Sequence, residues 1–191
     1  MLDENQLLPQ ESLDLISKTI SQTKDNFKTN SFYFLLWGWL ITLASFSFFL
    51  LREFTSFQYY FLPFPVLVAA GIIATLSRYS KTKSLSRTET YFGYFFSRLW
   101  LVLGLSFIII VFVTLSQQLL PFTYSLILAA IGTLVSGLAM NFKPLIIGGV
   151  LFFIASIACV FTPDHYKPLL FAVAALAGYL IPGYLLKSSN V

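Results

Sequence analysis

RYSKTKSLSRTETYFGYFFSR, residues Arg78 to Arg98, is the one long polar interruption in a chain that is otherwise nearly continuously apolar after residue 30. Arg78, Lys81, Lys83, Arg87 and Arg98 stand in it against Glu89 alone. On its far side, Leu99 to Phe142 carries no charged residue and is far longer than one membrane crossing needs, so it must contain a turn. Gln117, Gln118 and Pro121 mark that turn. On its near side, Ser31 to Leu51 is also uncharged, and at about 1.5 Å per residue it spans roughly the 30 Å of a hydrocarbon core.

Working outward in this way predicts an all-α, polytopic membrane protein, a compact bundle of six transmembrane helices over about 31–51, 59–77, 97–116, 121–140, 145–161 and 169–186. Residues 1–30 form a separate polar segment and residues 31–191 the membrane domain. Composition agrees. Of 191 residues, 57% are hydrophobic and only 10% charged, more apolar surface than a water-soluble chain can hide. The first apolar run begins too late and is too long for a cleavable signal core, so it reads as a retained span. Pro63 and Pro65 suit the first turn of the second helix, and Pro182 should kink the last helix or end it early.

Small residues recur where these helices would pack, and Gly71, Gly132, Gly137, Gly148 and Gly178 are the expected points of close approach. LPFPVLVAAGIIATL and LPFTYSLILAAIGTL superpose without a gap when Pro63 and Pro121 are aligned. That register pairs Phe64 with Phe122, Thr75 with Thr133 and Leu76 with Leu134, as three two-helix repeats would, although membrane helices share such composition without common ancestry.

The net charge of +4 does not point to nucleic acid, because the basic residues are few and flank apolar runs. Ten of the 12 Lys and Arg residues (Lys18, Lys24, Lys28, Arg78, Lys81, Lys83, Arg87, Arg98, Lys143 and Lys187) fall on one side of a six-span arrangement; Arg52 and Lys167 fall on the other. The positive-inside rule then puts both termini in the cytoplasm, and in the absence of an organelle signal the expected location is a plasma membrane of the bacterial inner-membrane type.

None of the expected spans has an Asp, Glu, Lys, Arg or His in its core, which disfavours proton relays, carboxylate-pair proteases and voltage sensors. Neither a catalytic constellation nor a metal-ligand set is visible, and no cofactor is expected. Cys159 is the single cysteine and His165 the single histidine. Polar surface concentrates at the cytoplasmic face. There Leu13, Ile16, Ile20 and Phe27 recur at steps of three, four and seven, as on one stripe of an amphipathic helix, and Arg78, Lys81, Lys83 and Arg87 follow. These eight residues are the expected contacts to a membrane or cytoplasmic protein partner or to lipid headgroups. The leading expectation is a non-enzymatic accessory or regulatory component. The second is a facilitator or exporter of an uncharged or lipophilic solute, in which a homodimer could form the path. The third, a lipid-modifying enzyme, would need Glu89, Asp164 or His165 at an interface.

Overall fold

The computed structural model describes the backbone of residues 9–55, 58–85 and 91–188, and the side chains of 31–55, 58–80 and 93–188. Among these residues the chain is all-α. Helix α1 is Pro9–Phe54, α2 Pro63–Leu85, α3 Tyr91–Ser116, α4 Phe122–Ala139 and α5 Lys143–Phe161. A last rod comprises α6 (Lys167–Ala175), a π-helical turn (Leu176–Leu180) and α7 (Ile181–Ser188). Five helical segments are long and apolar enough to cross a membrane: Ser31–Phe54, Gly93–Ser116, Phe122–Ala139, Lys143–Phe161 and Lys167–Ser188.

Three boundaries differ from expectation. The amphipathic segment and the first span form one helix, α1, because no Gly or Pro interrupts the chain between Pro9 and Gly38. The second span is displaced from 59–77. A turn closed by Leu62 N–H to the Tyr59 carbonyl precedes it, and with no breaker after Ser77 the helix continues through Arg78 to Leu85. α2 is not among the five segments above. Pro182 does not end the last helix early. The π turn lies just before it, with Ile181 N–H donating to the Leu176 carbonyl, and the helix runs on to Ser188. Proline cannot donate to the Gly178 carbonyl, and a local π adjustment is a common way for a membrane helix to absorb that loss.

Both predicted turns flanking α4 carry helix-ending motifs without glycine. Gln118 (φ 57°) and Asn141 (φ 50°) take the left-handed conformation. Leu119 N–H then donates to the Thr114 carbonyl and Phe142 N–H to the Gly137 carbonyl, the long closing bond of a Schellman cap.

α1 packs against α2 and against the last rod. It runs antiparallel to α2, since the Phe48 ring meets Phe64 (5.7 Å) near one end and Phe32 meets Arg78 near the other. It also runs antiparallel to the last rod, with Gly38 on Leu180 and Tyr179, and Leu35 on Gly183. Two aromatic clusters fill the interior at different depths. Phe34 gathers Phe96, Trp100 and Tyr179 around it. About 20 Å along α1, Phe48 gathers Tyr60, Phe64 and Phe122.

The hairpins α1–α2 and α3–α4 are built on the same clasp. A side chain placed on Gly71 would meet the Trp37 ring and Leu40; one placed on Gly132 would meet the Trp100 ring and Leu103. Trp37 Nε1 donates to Thr75 Oγ1 (3.2 Å), and Trp100 Nε1 donates to Ser136 Oγ (3.3 Å), in each case four residues after the glycine. The equivalent pairs are therefore Gly71 with Gly132 and Thr75 with Ser136, about one helical turn from the register that aligned the prolines. Proline sets where a helix can start, but the indole sets where it packs. Phe64 and Phe122, paired by the proline register, instead touch each other, with ring centroids 5.5 Å apart.

Removing the acceptor of an indole N–H held away from water leaves that donor unsatisfied. Thr75→Val and Ser136→Ala should each lower stability by about 1–2 kcal/mol. Thr114→Val should be nearly neutral, because the Thr114 hydroxyl bonds only to carbonyls of its own helix, Ile110 and Val111. Thermal unfolding of the three variants in detergent checks the contrast; equal losses would mean the indole bonds are not made.

Candidate functional site

The two ends of the bundle differ in chemistry. At one end, α1 closes on Arg52, whose guanidinium lies 6.0 Å from the Tyr60 ring centroid and donates to the Asp164 carbonyl at 3.5 Å. Asp164 Oδ1 accepts from Lys167 Nζ at 2.6 Å. That bond, opposed by slight desolvation and aided by the Lys167 and Arg52 charges, holds the Asp164 carboxyl below its ordinary value. The His165 ring packs on Tyr166 (3.9 Å), which stacks on Phe49 (6.5 Å). His165 thus belongs to a loop clamp joining α1 to the start of α6. No group of three or more His, Cys, Asp or Glu residues that could hold a metal occurs among the described residues.

At the other end, Arg78 on α2 rests over the Phe32 ring of α1 (4.8 Å), and Arg98 on α3 over Tyr94 (5.1 Å). Lys143 and Lys187 are exposed. This is also the end from which α1 extends: residues 9–30 of the continuous helix would reach about 33 Å beyond Ser31. Of the eight expected contact residues, Arg78 is described in full. Leu13, Ile16, Ile20, Phe27, Lys81 and Lys83 lie on the α1 and α2 backbones with side chains outside the described residues, and Arg87 lies outside them altogether. Glu89 is outside them too.

All five glycines singled out from the sequence sit at helix contacts. Gly71 and Gly132 take the tryptophans, Gly137 faces the Ile146 amide, Gly148 faces the Gly178 carbonyl, and Gly178 faces the Phe152 ring. Sequence reasoning passed over Gly149, which lies against the Leu134 backbone, and Gly38, which lies against Leu180. It also missed Tyr179, a fully interior ring between Phe34, Trp100 and Phe152. The signal available for the clasp was the repeated Trp-x-x-Leu of Trp37 and Trp100 with the repeated Gly-x-x-x-Thr/Ser of Gly71 and Gly132.

Buried hydroxyls mostly bond back to their own helix, as Thr133 Oγ1 does to the Ala129 carbonyl (2.6 Å) and Ser136 Oγ to the Gly132 carbonyl (2.6 Å). Ser45 is an exception, fully buried with no hydrogen-bond partner. A groove of about 310 Å³ between α3 and α4, lined by Ile109, Val113, Thr114, Gln117 and Tyr124, faces outward from the bundle.

By fold and composition this is a multi-pass helical membrane protein. No family model matches the chain, and neither a curated protein nor a solved structure matches it.

Proposed function

We propose that this protein is a non-enzymatic accessory or regulatory membrane component that binds another protein at the cytoplasmic face. The observation that carries the reading is the continuity of α1, which joins the N-terminal segment directly to the first helix of the bundle. A partner held by Leu13, Ile16, Ile20 and Phe27 would thereby be coupled to the helix that packs against α2, α6 and α7. The alternative, a solute path through an aromatic and small-residue interior, draws no comparable support, because Trp100 packs against Gly132 and Phe152 against Gly178 there.

The same reading takes α2 as a sixth span. Its stretch from Phe64 to Arg78 lies alongside α1 from Phe48 to Phe32, inside the apolar part of α1. Six crossings put both termini on the side of the ten basic residues, which is the cytoplasmic side of a bacterial inner membrane.

Extraction of the full-length protein with its surrounding lipid, followed by mass spectrometry, tests the proposal. A stoichiometric protein partner is expected with the intact chain and lost on deletion of residues 1–27, while the truncated bundle stays monodisperse. A partner that survives the deletion, or no partner with either form, would sink it.

A further inference from the structure

α3 and α4 meet at two levels. They touch where Trp100 and Leu103 reach Ser136 and Gly132, and they are joined again at the turn between Ser116 and Phe122. Near that turn α4 buries Phe122, Ser125 and Leu126, which share one helix face, and leaves Tyr124 46% exposed on another. α3, the least buried of the five apolar segments, presents Ile109, Ile110 and Val113 at this level. The space left between them is the outward-facing groove of about 310 Å³.

The groove has a polar mouth and an aliphatic floor. From Ile109 to Gln117 it follows α3 for about 12 Å, against about 15 Å for half of a hydrocarbon core. Gln117 lies just beyond the end of α3 and Tyr124 in the first turn of α4, so both stand at the interface end. Among the described residues none bonds the Gln117 carboxamide or the Tyr124 hydroxyl. The Thr114 hydroxyl, by contrast, is committed to the Ile110 and Val111 carbonyls. Two neutral groups able to donate therefore stand over an apolar slot that opens to lipid, and no lining residue is charged. An acyl chain carrying a neutral acceptor at its head matches this surface, whereas a carboxylate would meet no cation in it. We infer that the groove holds one acyl chain of a glycerolipid, whose ester carbonyl accepts from the Gln117 amide and the Tyr124 hydroxyl. The site lies at the end where Phe48 meets Phe122, opposite the extension of α1, and is independent of the protein partner proposed above.

The test uses the full-length, delipidated protein in mixed micelles, with retained lipid counted by native mass spectrometry. Diacyl phosphatidylcholine should be retained about fivefold better than its dialkyl ether analogue, which lacks the ester carbonyls; one neutral hydrogen bond supplies that ratio. Phosphatidylglycerol with the same chains should be retained as well as phosphatidylcholine. Gln117→Leu combined with Tyr124→Phe should abolish the preference for ester over ether, and both positions are exposed, so the bundle should melt as before. Val113→Trp, which fills the groove from its exposed wall, should lower retention of ester and ether lipid alike several-fold. Equal retention of the two lipids by the unmodified protein would overturn the inference, as would an ester preference that survives the double variant or retention untouched by Val113→Trp. A preference for phosphatidylglycerol would place the binding at a headgroup instead. Displacement by an equimolar free fatty acid would give the groove to a carboxylate, and self-association that excludes lipid would give it to a second copy; either result would refute the glycerolipid.

Discussion

Gly149→Ala should lower the melting temperature of the detergent-extracted protein by about 6–12 °C, the shift that about 3 kcal/mol produces in a chain of this size. A methyl at this position would sit 2.7 Å from the Leu134 N, Cα and Cβ, so it meets backbone rather than the end of a flexible side chain. α4 and α5 would have to separate. The neighbouring contact allows little room for that, because a methyl on Gly137 would likewise lie 2.7 Å from the Ile146 amide nitrogen. The turn between the helices is also short, closed by Phe142 N–H to the Gly137 carbonyl (2.9 Å), so the strain cannot be taken up there. In lipid the pair has no hydrophobic transfer to hold it together and depends on close dispersion contact. Gly104→Ala supplies the comparison: nothing lies within 4 Å of its added methyl, and the gain in helix propensity should leave stability equal or slightly higher. Coincident melting of Gly149→Ala with the unmodified protein would show that the helices do not approach as described.

That glycine shows how far the sequence could be read. The uncharged run from Leu99 to Phe142 required two helices, and Gln117–Pro121 located the turn between them to within a few residues of α3 and α4 as observed. Such inferences succeed because the bilayer fixes helix length, and a long run of apolar residues has few ways to satisfy its backbone. Contact partners were less legible. Gly148 and Gly149 are adjacent and equally small, yet they face different helices, and only the packing of α4 and the last rod distinguishes them. Aligning Pro63 with Pro121 suggested a repeat or a coincidence of composition, whereas the contacts the two hairpins share follow Trp37 and Trp100, whose indoles select Thr75 and Ser136. Continuity of α1 was hidden because polarity changes at Ser31 while helix-forming capacity does not. The function left a weaker trace still, because many of the buried polar groups are hydroxyls bonded back to their own helices, as Thr114 and Ser125 are.

The third hairpin gives the other large effect. Phe152 stands on Gly178 as Trp37 stands on Gly71 and Trp100 on Gly132, but a phenyl ring has no N–H to donate. Four residues after Gly178 comes Pro182, which has no hydroxyl to accept, so the exchange of Trp for Phe and of Thr or Ser for Pro is matched on both sides of the contact. At this contact the hairpin therefore relies on ring packing and lacks the indole hydrogen bond of the other two. Phe152 is 1% exposed and lies 4.7 Å from the Tyr179 ring, so it has nowhere to swing. Phe152→Ala should cost about 3–5 kcal/mol through the cavity it leaves. Gly178→Ala should cost about 1–3 kcal/mol, because its methyl would overlap the Phe152 ring. In the double variant the new methyl enters the space the ring vacated, so the combined loss should fall short of the sum by about 1–3 kcal/mol. Thermal or denaturant unfolding of the four proteins measures that shortfall. A double variant whose loss equals the sum would mean that Phe152 and Gly178 do not touch, and the parallel with the two tryptophan hairpins would go with it.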